Sequence, residues 1–241
     1  MYESGVFLVA LAAGAISAIS GFGIGSLLTP LFALQVGTKT AVAAASIPHL
    51  IGNGIRFWGL RHSVDHRVVW RFGLMSAAGG LGGALLNASA PGPALRIVLG
   101  ALLVFAGLAQ VTGQSQRWEF HGSVAWVAGG LSGFFGGLVG NQGGIRSAAL
   151  LGFHLPKERF VATAVAIALF VDAARMPVYV AVERDSVAAI WPLVLLATVG
   201  VVVGTAAGHR LLPHMPEKRF KQVVGVLIVI LGIVVLFRRG A

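Results

Sequence analysis

The chain has 241 residues, of which 56% are apolar and only 11% charged, and its mean hydropathy is +0.86; an ordinary soluble domain carries roughly a quarter charged residues. A water-soluble core cannot absorb so much apolar surface, so the bilayer is the solvent for most of this protein. The net charge of +10 does not point to nucleic acid, because the 18 Lys and Arg lie mainly in short loops between apolar stretches, where they act as topology signals. The absence of cysteine excludes disulfides, thiolate metal sites and thiol relays.

In chain order, the pattern predicts first a glycine-broken segment over residues 5–34, with Gly21, Gly23 and Gly25 at the break. It starts at Glu3 without a basic region and lacks a small-residue cleavage site, so it is expected to stay in the mature fold. Spanning helices are then predicted over 41–57, 68–86 and 95–111, most of them close to the roughly 20 residues that hydrocarbon demands. A second broken segment covers 124–153, interrupted by Gly136, Gly137, Gly140, Gly143 and Gly144, and further stretches run over 160–174, 187–207 and 223–237. The fold class is an all-α, multi-pass integral membrane protein, expected in the cell inner (plasma) membrane. Glycine clusters such as Gly79, Gly80, Gly82 and Gly83 predict closely packed helices.

The chain repeats itself. Residues 41–57 lie over 160–176 without a gap, placing Val42 on Val161, Asn53 on Asp172 and Arg56 on Arg175, and residues 14–21 match 129–136 with Ser17 on Ser132. Two membrane repeats follow, over 1–113 and 114–241, each with one glycine-broken segment and three cleaner ones. If the broken segments cross the membrane, the halves run parallel, and the basic residues divide seven against eight, which orients nothing. If they dip in and return, the halves are inverted. Arg61, Arg67, Arg71, Arg117, Lys157, Arg159, Arg210, Lys218, Arg219 and Lys221 then share one face, against Lys39, Arg96, Arg184, Arg238 and Arg239. The positive-inside rule favours this second arrangement: two re-entrant hairpins, six full crossings and both termini outside.

Residues 14–31 (GAISAISGFGIGSLLTPL), followed by Thr40 to Ser46, and a second copy in residues 130–136, 143–146 and 159–163, resemble the duplicated signature of the sulfite exporter TauE/SafE family. The resemblance covers nearly the whole chain and implies a permease that exports, or in some members imports, sulfur-containing anions such as sulfite or organosulfonates.

A helix interrupted inside the membrane frees backbone groups that only protein or a watery cavity can satisfy. The half-helix after Gly25 is expected to offer the N–H groups of Ser26, Leu27 and Leu28, with Thr29 beyond, and the one after Gly144 those of Ile145, Arg146 and Ser147. Two such ends facing each other form an anion site; the plainer alternative is that the glycines merely permit close packing. Arg146 is the sharpest candidate contact, because its planar fork matches a pair of sulfonate oxygens and an arginine at that depth requires a cavity or a partner. Asn141, Gln142, Gly143 and Gly144 surround it in sequence. The alternative is an ion pair between Arg146 and Asp172, the one acid inside an apolar spanning segment. Arg56 and Arg175 are expected near the exit ends of their helices on opposite faces, as anion-attracting mouths or snorkelling side chains. His49, beside the helix-kinking Pro48, and Asn53 complete the gating candidates; a histidine there either carries protons or simply bonds a carbonyl. The remaining histidines, His62, His66, His121, His154, His209 and His214, fall at loops or helix ends without metal-ligand spacing, so neither metal nor cofactor is expected. No nucleophile–base set suggests an enzyme. The expected partners are a small inorganic or organic anion and the lipid bilayer, and a homodimer stays open.

Overall fold

The computed structural model describes residues 2–20, 23–114, 120, 122–211 and 217–238. Among the sequence-based expectations, Gly21, Arg117, His121, His214 and Arg239 lie outside these residues, as do the side chains of His209, Arg210, Lys218, Arg219 and Lys221.

Ten helices account for almost all of the described residues: α1 (Tyr2–Ser20), α2 (Ile24–Val36), α3 (Thr38–Leu60), α4 (His66–Ser89), α5 (Gly92–Val111), α6 (Gly122–Val139), α7 (Gly143–Leu151), α8 (Lys157–Ala189), α9 (Trp191–Leu211) and α10 (Glu217–Phe237). In lipid a helix is favoured even for Val- and Gly-rich sequence, because it alone satisfies each backbone group within its own segment. Boundaries follow local chemistry. Gly37, at φ 78°, separates α2 from α3, and Pro91 caps α5 with another proline in its first turn. Pro30, Pro48 and Pro177 lie inside helices that continue past them, so Pro48 does not end α3.

The molecule is inside out relative to a soluble protein. On α3, Ile51, Ile55 and Trp58 are exposed, while His49, Asn53 and Arg56, at the same helical spacing on another face, are buried. Leu81 and Leu85 on α4, Val199 and Val203 on α9, and Ile230 and Val234 on α10 likewise point outward. Such faces are stable only against hydrocarbon.

One expectation is corrected. The stretch expected to end at Ala174 continues as a single helix of 33 residues to Ala189, about 50 Å at about 1.5 Å per residue, with its charges at Arg184 and Asp185 exposed and needing no loop. Among the described residues five helices are long and apolar enough to cross a membrane by length and composition, namely α4, α5, α6, α8 and α9 over Trp191–Gly208, whereas α1, α2 and α10 offer shorter apolar stretches. α3 is long enough but too polar by composition, since its polar face is turned into the protein.

Packing pairs the helices in a regular exchange. On the seam between α4 and α6, a Cβ added at Gly79, Gly83, Gly133 or Gly137 would collide with backbone of the facing helix, at Gly130, Phe134, Ser76 and Gly80 respectively. Between α1 and α9 the same construction recurs, with Gly14 against Val201 and Gly204 against Leu11. Polar locks sit at matching places: Ser76 donates to the Gly129 carbonyl (2.9 Å) and Thr205 to the Gly14 carbonyl (3.4 Å). Residue numbers rise together along both seams, so each pair is parallel. α5 against α10 is different. Gly107 faces Gly225 and Gly100 faces Gly232, so these two helices are antiparallel. α3 and α8 are antiparallel as well, since Thr40 reaches Glu183 (2.8 Å), Ser46 reaches Met176 (3.0 Å) and His49 reaches Asp172 (2.8 Å). One apolar core gathers α1, α2, α3 and α9, and a second gathers α4, α6, α7 and α8.

The seams predict a contrast in stability. Gly137→Leu forces α4 and α6 apart and should cost about 1–3 kcal/mol, read as a lower thermal midpoint in detergent. Gly82→Ala, where an added Cβ meets nothing within 4 Å, should leave the midpoint unchanged or slightly raised.

Candidate functional site

The two helix breaks touch. Gly23, at φ 132°, precedes α2, and Gly140, at φ 73°, follows α6; both conformations are open to glycine at little cost. A side chain at Gly25 would run into the Gly140 carbonyl, and one at Gly140 would fall 2.7 Å from Thr29 Oγ1. Ser26 donates to Asn141 Oδ1 at 3.1 Å, and Ser132 donates to the Gln142 carbonyl at 2.8 Å. Sequence alone set the helix starts too late: Leu27 N–H already bonds the Gly23 carbonyl, and Arg146 N–H the Gln142 carbonyl. The donors without an acceptor inside their own helix are therefore those of Ile24, Gly25 and Ser26, and of Gly143, Gly144 and Ile145. Each set carries the positive end of its helix dipole.

Against the breaks lies the crossing of α3 and α8. Asp172 is fully buried and holds His49 Nδ1 through Oδ2 at 2.8 Å, and Arg175 Nε and Nη2 through Oδ1 at 3.0 and 2.7 Å. Arg175 also donates from Nη1 to the Gly136 carbonyl at 2.5 Å, and its guanidinium stands 5.8 Å from the ring centre of Tyr179, whose hydroxyl bonds the Gly137 carbonyl. On α3, Asn53 contacts the His49 ring and accepts from Arg56 Nη1 at 3.2 Å. Arg146, 1% exposed on the first turn of α7, lies within electrostatic reach of Asp172, Arg175, His49 and Arg56.

Among the described residues the buried charged groups are therefore Arg56, Arg146 and Arg175, set against the single carboxylate of Asp172. Burying a net positive cluster at membrane depth costs several kcal/mol unless something negative joins it. The groups around it are also short of partners: Arg56 Nε and Nη2, both amide atoms of Gln142, and Thr29 Oγ1 are buried without a hydrogen bond. Donors so placed, beside two helix N-termini, describe a cradle for an anion.

A model of the sulfite exporter TauE/SafE family matches residues 6–235 of the chain. The chain belongs to that family. No curated protein and no solved structure matches it. As a TauE/SafE member, it is a membrane transporter, of a family that carries sulfur-containing anions such as sulfite.

Of the residues singled out from sequence in this TauE/SafE chain, Gly25, Ser26, Thr29, Asn141, Gln142, Gly143 and Arg146 gather at the breaks, while Gly144 is only half-buried and its open side faces Ala106 of α5. Arg56 and Arg175 are corrected: both are 2% exposed and flank the cluster, with Arg146 acting on each, instead of standing at separate mouths. For Arg175 the long run of α8 is the reason, since it puts the residue near the helix middle. Asp172 is engaged by His49 and Arg175, which makes those two its direct partners ahead of Arg146. Tyr179 escaped the sequence reading. It follows Asp172 and Arg175 at helical spacing on one face, and that periodicity was its available signal.

Proposed function

We propose that the protein is an alternating-access carrier for a small sulfur-containing anion, sulfite or an organosulfonate, working in the direction of export. The anion binds where the two breaks meet, against Arg146, with Arg56, Gln142, Asn141, Ser26 and Thr29 as further contacts. The observation that carries this reading is the buried cluster of three guanidiniums and one carboxylate beside two helix N-termini. A bound anion supplies the missing negative charge.

The two halves are inverted in this reading, so that one rocks against the other around a fixed site. The antiparallel packing of α5 on α10 and of α3 on α8, each pair equivalent in the repeat, supports the inversion. Contacts at the helix ends agree with re-entrant hairpins. Ser63 bonds Glu158, Arg159 lies 3.8 Å from Asp65, Thr40 bonds Glu183, and Arg96 bonds the Arg238 carbonyl. Under the crossing arrangement each of these pairs would sit on opposite faces, roughly 30 Å apart. An inside-negative potential favours exit of net negative charge by about 2.3 kcal/mol per charge per 100 mV, which suits export wherever the species carried keeps a net negative charge.

Proteoliposomes loaded with sulfite, sulfoacetate or sulfate provide the test. Flux should saturate with concentration and be accelerated by unlabelled substrate on the far side, as exchange through one site requires. Flux that stays linear and shows no exchange would point to a channel and remove the carrier mechanism.

A further inference from the structure

Resting on the carrier reading above, we infer that the His49 imidazole is a proton site coupled to the anion, so that one proton travels with each substrate anion.

The geometry assigns the two ring nitrogens different tasks. Asp172 is locked as a carboxylate by two bonds from Arg175, so it can only accept, and Nδ1 of His49 must carry the hydrogen it shares at 2.8 Å. Nε2 is then the nitrogen that takes up or gives back a proton, and the Asn53 amide nitrogen lies 3.1 Å from Nδ1 and 3.3 Å from Nε2. The imidazolium so formed keeps its bond to Asp172. On the other side the ring's Cδ2 edge comes within 4.0 Å of where a Cβ on Gly25 would stand, which places His49 against the α2 break and hence against the anion.

Charges facing the ring set the coupling. Asp172 on α8 bonds the ring directly, Arg175 on α8 stands behind Asp172, and Arg146 on α7 is the further cation within electrostatic reach. On α3 itself Asn53 touches the ring and Arg56 lies beyond Asn53. α2 and α6 carry no ionisable residue, and neither does α9 over 191–208. With neutral His49, the three guanidiniums and one carboxylate leave two positive charges; adding a proton makes three. An anion seated against Arg146 offsets that gain, and by linkage each ligand strengthens the binding of the other by the same factor. The repeat makes the device one-sided. Asn53 stands where the second half has Asp172, and Ala168 stands where the first half has His49, so one proton site serves both halves.

The test uses the full-length protein in proteoliposomes containing a trapped pH-sensitive dye, with protein-free liposomes as blank and methanesulfonate, sulfoacetate or sulfite as probe. Methanesulfonate keeps its charge across the working pH, so any proton it moves must come through the protein. Wild type should acidify the compartment that the anion enters, about one proton per anion, and an acid outside should drive anion inward against its own gradient. His49→Gln, which retains a hydrogen-bonding side chain without a basic nitrogen, should lower the proton-to-anion ratio at least tenfold, whatever happens to the absolute rate. Anion flux in wild type with no proton movement and no pH-driven accumulation overturns the coupling and leaves the carrier standing. A His49→Gln protein that keeps the wild-type ratio overturns the role of His49. No flux of any of the three probes overturns both readings.

Discussion

Arg146→Ala should reduce sulfur-anion flux in proteoliposomes about a hundredfold or more at equal protein content. Truncating one member of a buried, charged, hydrogen-bonded pair costs about 2–5 kcal/mol, and each 1.4 kcal/mol is a factor of ten. Arg146 is the guanidinium placed on the second broken segment itself, 1% exposed, within reach of every other charge in the cluster. Arg146→Lys should recover only part of the flux, since it restores the charge without the planar fork. The thermal midpoint distinguishes this from a purely structural role. The alanine variant should keep a cooperative thermal transition in detergent while its flux is lost; loss of both together would mark the residue as structural. Flux within twofold of wild type would remove Arg146 from the site.

The second large effect is on stability. Asp172→Ala strips the carboxylate from His49 and Arg175 together and should destabilise the fold by about 3–5 kcal/mol, the usual consequence of leaving a buried charge uncompensated. For a chain of this size that corresponds to a fall of about 6–20 °C in thermal midpoint. The double variant Asp172→Ala with Arg175→Leu removes the stranded cation as well and should recover a good part of the loss. If the double variant is as unstable as the sum of the single ones, the pair is not an energetic unit. The bonds from Arg175 to Gly136 and from Tyr179 to Gly137 tie α8 to the end of α6, so these variants should also loosen the second break. Faster amide hydrogen exchange over residues 136–146 would report that loosening.

Much of the site was visible in residue types alone. Arg146 stood out because a guanidinium beside a glycine break inside an apolar segment has few explanations, and Asp172 because it is the one acid at membrane depth. Tyr179 and the Gly136 and Gly137 carbonyls were not visible in the same way. A tyrosine in an apolar helix is unremarkable until its partner is known, and a backbone acceptor leaves no trace in sequence. Arg175 falls at the middle of its helix because α8 runs about four turns past Ala174, where its apolar stretch stops, and Arg56 is buried because its face of α3 turns into the protein with His49 and Asn53.

By itself, the sequence determined the solvent, the helical class, the duplication and the positions of the breaks. Each of these follows from local composition, because hydrocarbon admits only backbone that satisfies itself and glycine marks where it does not. Only the tertiary structure decided which charges meet. α3 and α8 are 96 residues apart from Leu60 to Pro156, and their antiparallel crossing is what puts His49 on Asp172 and leaves three guanidiniums sharing one carboxylate. Coulomb interaction at that range depends on a few ångströms of separation, and such separations are fixed by how the helices pack.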